Sequence, residues 1–409
     1  MNRLIPLMTL LLPAFSVAEV VIGGDAFQCS DDPACINRMH PEIPMAATAK
    51  PGERIVMIGR DAGDRHFDPD DLSNPDKIPG QGFGVVHPMV GPVFIEGAEA
   101  GDVLAVTIES IEPGPIGWTS TGSFGFAADK VGNEDRLILW RLNDEYAQSD
   151  SLPGVRIPNA SFPGVVTTMP NQQQLDIVLQ REQELADAGG AVYTPDTDVA
   201  EPSSLCGAEG NKPEKCLRTL PPREFGGNMD IRYLKTGVTI YLPCNIQGCG
   251  LAIGDFHYAQ GDGEVSGTAI EMDANITVTT QVIKNGPALN HGPHYAGSAS
   301  LLSIPSQRFY ATTGFPLKEK GEIPRDIAYL ASSKVADLTN LSNDLNLAAA
   351  NALVAMIDYI VAEYGYDRTQ AYLIASVAVD IRVGQLVDSP NVGATAILPL
   401  DIFTAPDSE

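Results

Sequence analysis

Basic side chains are scarce in this 409-residue chain: Lys and Arg number 26 against 52 Asp and Glu, a formal net charge of −26. Such a surface repels polyphosphates and anionic bilayers, which argues against nucleic acid and membrane as partners. Charged residues make up only 19% of the chain and apolar ones 44%, which excludes a disordered protein and allows one large core or two ordinary ones. Nucleophile motifs are missing too. There is no G-x-S-x-G elbow, and no two cysteines have C-x-x-C spacing. The aspartate-rich stretch 64–76 lacks the ordered spacing of an EF-hand and reads as loop.

The N-terminus reads as an export signal. Arg3 gives the positive start, 5–15 the apolar stretch, and Ser16-Val17-Ala18 the small residues of a cleavage site. That apolar stretch is short for a membrane span. Cleavage after Ala18 would leave a domain over 19–409 in the periplasm or outside the cell, with a retained amphipathic anchor as the alternative. The 6 cysteines fit an oxidising compartment. Of the formal connectivities, near-neighbour closure costs least entropy and favours Cys29–Cys35, Cys206–Cys216 and Cys244–Cys249. Thiols tied up in this way cannot serve as nucleophiles.

What chemistry the chain does carry is concentrated in GDFHYAQGDGEVSGTAIEM, residues 254–272. Asp255 and His257 are spaced to share one side of an extended segment. Gln260, Asp262, Glu264 and Glu271 follow, with Gly261, Gly263 and Gly267 breaking the run into loop. Asp262 and Glu264 repeat the two-residue spacing after the turn, so that with Asp255 and His257 four ligand-type side chains are expected to converge on a divalent cation. A solvated acidic turn is the competing reading. Upstream, TGVTIYLP and CGLAIGD read as buried strands that would hold these acids inside a fold, where an unpaired charge is costly.

The run resembles the signature of the acetamidase/formamidase family, GD-x-H-x-x-QGDGE-V-x-GTAIE. Around His87, HPMVGPVFIEGAEAGD resembles that family's HP-x-x-GP-x-x-VEGA-x-x-GD, and FGGNMDIR, with Asn228 and Asp230, resembles its G-G-N-M-D-x-R/K. The ending DIRVGQLVDSPNVGATAILP resembles the family's closing motif, so the resemblance covers about 50–170 and 222–403. It is weakest over 171–222, read as an insertion: a helix ending at Gly189-Gly190, then a cysteine-bridged loop that shapes an entrance, makes an oligomer contact or is decoration. IPNASFPGVVTTMP departs from the family pattern and is given no chemical role, and Ser266, where many members have cysteine, is read as packing. The resemblance implies an amidohydrolase for small neutral amides such as formamide or acetamide, assembled as a homo-oligomer.

With the other constellations missing, metal-assisted hydrolysis is the expected chemistry. Asp230, Asp255 and His257 are the expected ligands of a divalent ion. His87, held extended before Pro88, reads alone as a packing or capping residue, and the resemblance adds it as a further ligand candidate. Mixed Asp/His ligation prefers zinc, with calcium or magnesium as alternatives. Glu264 or Glu271 is expected to move the proton from water to nitrogen, and Asn228 and Gln260 to bind substrate. The alternative function is a non-catalytic, secreted cation- or ligand-binding protein on the same scaffold. Asp380 and Arg382 are expected to pair, and His291 and His294 to be structural.

The expected fold is α+β and β-rich, with packed, barrel-like strands and C-terminal helices. Two β regions are expected around 50–110 and 230–285. A strand is predicted over 54–59, and a hairpin over 93–95 and 103–108 joined by Gly-Ala-Glu-Ala-Gly. DLNLAAANALVAMIDYIVAEYG and TQAYLIASVAVDIRVGQLVD read as two helices, the first with one buried face.

Overall fold

The computed structural model describes residues 19–24, 26–65, 84–122, 125–132, 134–187, 192–287, 289, 292–324, 333, 335–339, 341–385 and 392–404. The expected export signal, the greater part of the 64–76 loop, Gly189-Gly190 and His291 lie outside these residues.

The strands that matter for the site are β1 (Arg54–Gly59), β2 (Met89–Ile95), β3 (Val103–Thr121), β4 (Arg136–Leu142), β5 (Phe162–Thr167), β6 (Gly226–Asn228), β7 (Thr239–Pro243), β8 (Cys249–His257) and β9 (Glu271–Ile283). They are neighbours in the order β4-β3-β9-β8-β5-β6, with β1 also on β9, β2 on β8 and β7 on β3. The first and second β regions thus interleave in one sheet. β8 is buried along its whole length, which is why its sequence runs apolar without alternation. Leu251, Ile253 and Phe256 are each 0% exposed, and full burial of such a side chain contributes about 1.5–3 kcal/mol.

The hairpin expected at 93–108 does not form: β2 pairs with β8, and β3 with β4, β7 and β9. The turn between them is anchored elsewhere. The Asp102 carboxylate accepts from Glu99 N at 2.8 Å, from Asn285 N at 2.9 Å and from Lys284 Nζ at 2.8 Å. This fastens the turn to the end of β9, so it serves as an arch between two ladders.

The three disulfides are those expected from spacing, Cys29–Cys35, Cys206–Cys216 and Cys244–Cys249. Helix α1 (Gln172–Asp187) lies in the 171–222 segment. Toward the C-terminus, α2 (Leu345–Tyr364) is capped by Asp344 and stopped by Gly365 at φ 76°. It packs on a sheet of β10 (Phe309–Gly314), β11 (Asp380–Gln385) and β12 (Gly393–Pro399), ordered β10-β12-β11. Its Leu353, Met356, Ile357 and Ile360 are buried, as expected for a helix with one face on a core. The second expected helix is shorter than its pattern suggested. α3 (Arg368–Ala378) starts in a capping box of Asp367 and Gln370 and ends at Val379, after which the chain becomes β11. β-branched Val377, Val379, Ile381 and Val383 favour that switch. Asp380 and Arg382 do pair, at 3.1 Å.

Candidate active site

β5, β8 and β9 run side by side, and their register sets Phe162 opposite His257 and His257 opposite Glu271. His257 Nε2 lies 3.3 Å from Asp255 Oδ1 and 3.2 Å from Glu271 Oε2. The second Glu271 oxygen accepts from Ala269 N at 2.8 Å, which fixes the carboxylate. The Phe162 ring meets His257 edge-on, with centroids 4.9 Å apart. His87 Nε2 lies 3.9 Å from the other Asp255 oxygen. Asp255, His257 and Glu271 are buried.

Partly exposed Asp230 and Glu264 extend the cluster. Ligand-type atoms of Asp230, His257 and Glu264 lie within 4.8 Å of one another, as do those of Asp255, His257 and Glu271. Asp230, Asp255 and Glu264 have φ of 48°, 55° and 41°. Non-glycine residues enter this left-handed region at a cost of about 1–3 kcal/mol each, and such conformations gather at functional sites. Asp230 is held from below: its N–H and that of Met229 donate to Gly164 O at 3.3 and 3.1 Å, and its own carbonyl accepts from Gln260 Nε2 at 2.9 Å.

The structure therefore gathers His87, Asp230, Asp255, His257, Glu264 and Glu271, with Gln260 beneath them. Asn228 lies next to the cluster in sequence. Its Nδ2 donates to Leu220 O at 3.1 Å, while its Oδ1 is buried without a hydrogen-bond partner. Asp262 does not join, contrary to its expected place beside Glu264. Gly263, at φ 108°, and Glu264 turn the chain between them, and the Asp262 carboxylate accepts from Tyr233 Oη at 2.6 Å instead. Ser266 is packed, 0% exposed, and donates to Ser120 O at 2.9 Å. His294 is exposed on a short strand away from the cluster.

Gly164 and Phe162 escaped the sequence reading. A Cβ on Gly164 would lie 2.5 Å from Asp255 Oδ2 and 2.7 Å from Asp230 Oδ1, so only glycine lets β5 pass beneath the carboxylates. The available signal was a glycine inside an apolar strand run, which marks a close approach.

The Acetamidase/Formamidase family model matches residues 25–405. The chain belongs to that family. It is 30% identical to an acetamidase of Mycolicibacterium smegmatis, covering 87% of this chain and 89% of the relative. It is 28% identical to a formamidase of Methylophilus methylotrophus, covering 90% and 89%. Its fold is similar to that of a gamma lactamase from Delftia acidovorans, with TM-score 0.82 and 27% identity over 96% of this chain and 95% of that one. Amide hydrolysis is the enzyme class of this acetamidase/formamidase family member.

In this family member the site's electrostatics separate its acids. Removal from water, and then the Asp255 charge, push Asp230 up to about 8. Burial and then Asp230 raise Glu264 well above the ordinary glutamate value. Burial would also raise Asp255, yet His87 and His257 hold it down at about 2. Burial alone would lower His257, but Glu271 and Asp255 outweigh it and raise it well above an ordinary imidazole. His87 is lowered by burial.

These residues fit a divalent cation. Asp230 Oδ1, His87 Nδ1 and His257 Nδ1 are buried without a hydrogen-bond partner, and Asp255 Oδ1 and Glu271 Oε2 share the one His257 Nε2, an arrangement that needs a compensating group. Four carboxyls against two imidazoles leave negative charge in excess even with both imidazoles protonated. Either protons or a cation must balance it, and mixed imidazole and carboxylate donors suit zinc.

Proposed function

We propose that this protein hydrolyses the C–N bond of small linear amides of formamide or acetamide size, with a divalent cation, zinc by preference, held by Asp230, Asp255 and His257 and flanked by His87. The convergence of Asp255 and Glu271 on His257, with Asp230 and Glu264 at the same cluster, carries this reading. Bound there, the cation would supply Lewis-acid polarisation of a carbonyl and a lowered pKa for water.

An amide also needs a proton delivered to its poor leaving group. Glu264, whose proton affinity burial and then Asp230 raise, suits delivery to the departing nitrogen. Glu271, fixed by Ala269 N and set against His257, suits acceptance of a proton from water. Gln260 Oε1 and Asn228 Oδ1 are buried acceptors without partners, and a primary amide offers N–H donors to match them. Phe162 keeps water from the His257 ring on one side.

Export to an oxidising compartment is part of the proposal, supported by the three disulfides. So is a homo-oligomer, supported by exposed Phe309, Phe315 and Leu317 on the C-terminal half.

The test is ammonia release from formamide, acetamide and propionamide, and ring opening of a γ-lactam to its amino acid, by the wild type and by Glu264→Gln. Release from the smallest linear amides is expected, with a loss of about 100- to 10,000-fold in the variant. Ring opening of the lactam without ammonia from any linear amide would move the activity to a different C–N bond. Metal uptake without ammonia from any amide would contradict the enzyme reading and favour a cation-binding role.

A further inference from the structure

We infer that the 171–222 segment is a working part of the candidate site, and that Thr219 is a positioning residue for His87. Thr219 is 0% exposed, and its Oγ1 accepts from the backbone N–H of His87 at 2.5 Å. The next residue, Leu220, offers the carbonyl that takes Asn228 Nδ2 at 3.1 Å. Two consecutive residues at the end of the segment therefore hold one member of the histidine–carboxylate cluster and one unpartnered acceptor beside it.

This grip is built from both sides. Just before it, Leu217–Arg218 pairs as a strand with Arg38–Met39, and the Cys206–Cys216 disulfide closes the loop leading into that strand. Arg38 and Asn37, both buried, then bridge the segment to the chain running into His87. Arg38 Nη2 donates to Gly84 O at 3.1 Å and to Asp196 O at 3.2 Å. Asn37 Nδ2 donates to Val85 O at 3.2 Å and to Val199 O at 2.9 Å, while its Oδ1 accepts from Glu201 N at 2.7 Å. From α1, Glu182 reaches Arg223 at 2.7 Å, on the far side of the Thr219–Leu220 pair. A segment that only decorated the surface would have no need to satisfy the buried backbone N–H of His87, nor to share Arg38 and Asn37 with the carbonyls of Gly84 and Val85. Groups that orient a metal ligand or substrate contact in this way commonly govern affinity and turnover from behind.

The inference rests on the amide-hydrolase reading for the roles of His87 and Asn228, and its test separates the two. Thr219→Val keeps the shape and removes the acceptor, and Thr219→Ser keeps the acceptor. Both are compared with wild type for melting temperature, zinc retained after gel filtration, and kcat and KM for the amide the wild type cleaves. The valine variant should lose about 10- to 100-fold in zinc affinity or kcat while remaining folded, and the serine variant should stay close to wild type. Should the valine variant not fold, Cys206→Ala/Cys216→Ala, which frees the loop without touching the site, is expected to show the same loss. A folded valine variant with wild-type zinc retention and kcat would overturn the inference, as would equal losses in valine and serine variants. A wild type inert on every amide strikes at the hydrolase reading alone, and zinc retention in valine against serine then decides this one.

Discussion

His257 and Glu271 stand directly opposite one another across the β8–β9 ladder, with Nε2 and Oε2 3.2 Å apart. That contact, with Asp255 on the other side, is why the imidazole's proton affinity is raised well above the ordinary value. His257, Asp230 and Glu264 all have folded pKa values above their unfolded ones. The folded state therefore binds more protons than the unfolded chain, and stability falls as pH rises, by about 1.4 kcal/mol per pH unit for each group inside its window. For Asp230 that window runs from the ordinary aspartate value of 3.8 to about 8. The His257 contribution is complete below the ordinary imidazole value of 6.5 and is lost as pH rises above it. Asp255, held down at about 2, acts in the opposite sense, losing its stabilising contribution as pH falls below the ordinary aspartate value of 3.8. Chelated protein should melt at steadily lower temperature between pH 5 and pH 8, and added zinc should flatten the slope. A melting temperature independent of pH in chelated protein would contradict this electrostatic account.

Gly164→Ala should silence the site without dismantling the fold. The new methyl would meet carboxylate oxygens of Asp255 and Asp230 at 2.5 and 2.7 Å, so those groups must move. Displacements near 1 Å in such a constellation cost about 100-fold in rate, while overpacking costs about 1–3 kcal/mol of stability. Circular dichroism and turnover measured together check this. A variant with wild-type turnover would mean that the carboxylates near Gly164 do not govern the reaction.

A second buried arrangement ties the site's two loops to the C-terminal half. Asp380 Oδ1 takes Arg232 Nη1, two residues beyond Asp230, and also Asp262 N at 3.2 Å, two residues before Glu264. Asp380 is 2% exposed and Arg232 8%. Removing one partner from such a pair strands the other charge, at a cost of about 3–5 kcal/mol. Urea denaturation of Asp380→Ala should show a loss of that order. A loss within about 1 kcal/mol, the range for an exposed pair, would show that this one does not brace the loops.

Much of this arrangement could be read from the sequence because its signals are local. Cysteine spacing marked the three disulfides, and glycine punctuation marked the loop after β8. Asp255 and His257, two apart, do meet. Failures came where a remote partner decides the outcome. The turn after β2 looks like a hairpin turn, but Lys284 and Asn285 hold it through Asp102. Val379 ends a helical pattern because its continuation is recruited by β12. Asp262 matches Glu264 in residue type and spacing, yet Tyr233 claims it. Gly164 shows locally only as a glycine in an apolar strand run, which does not say that carboxylates approach it, and Thr219 matters through a neighbour far along the chain that no local pattern reveals.

The most direct test is metal analysis of protein purified without chelator, with Asp255→Ala and His257→Ala treated identically and ammonia release followed in parallel. Wild type should carry tightly held divalent metal and release ammonia. Each variant should lose the metal and fall in activity by more than the roughly 10- to 100-fold typical of supporting residues. Full amide hydrolysis by metal-free wild type, or by either variant, would contradict the account.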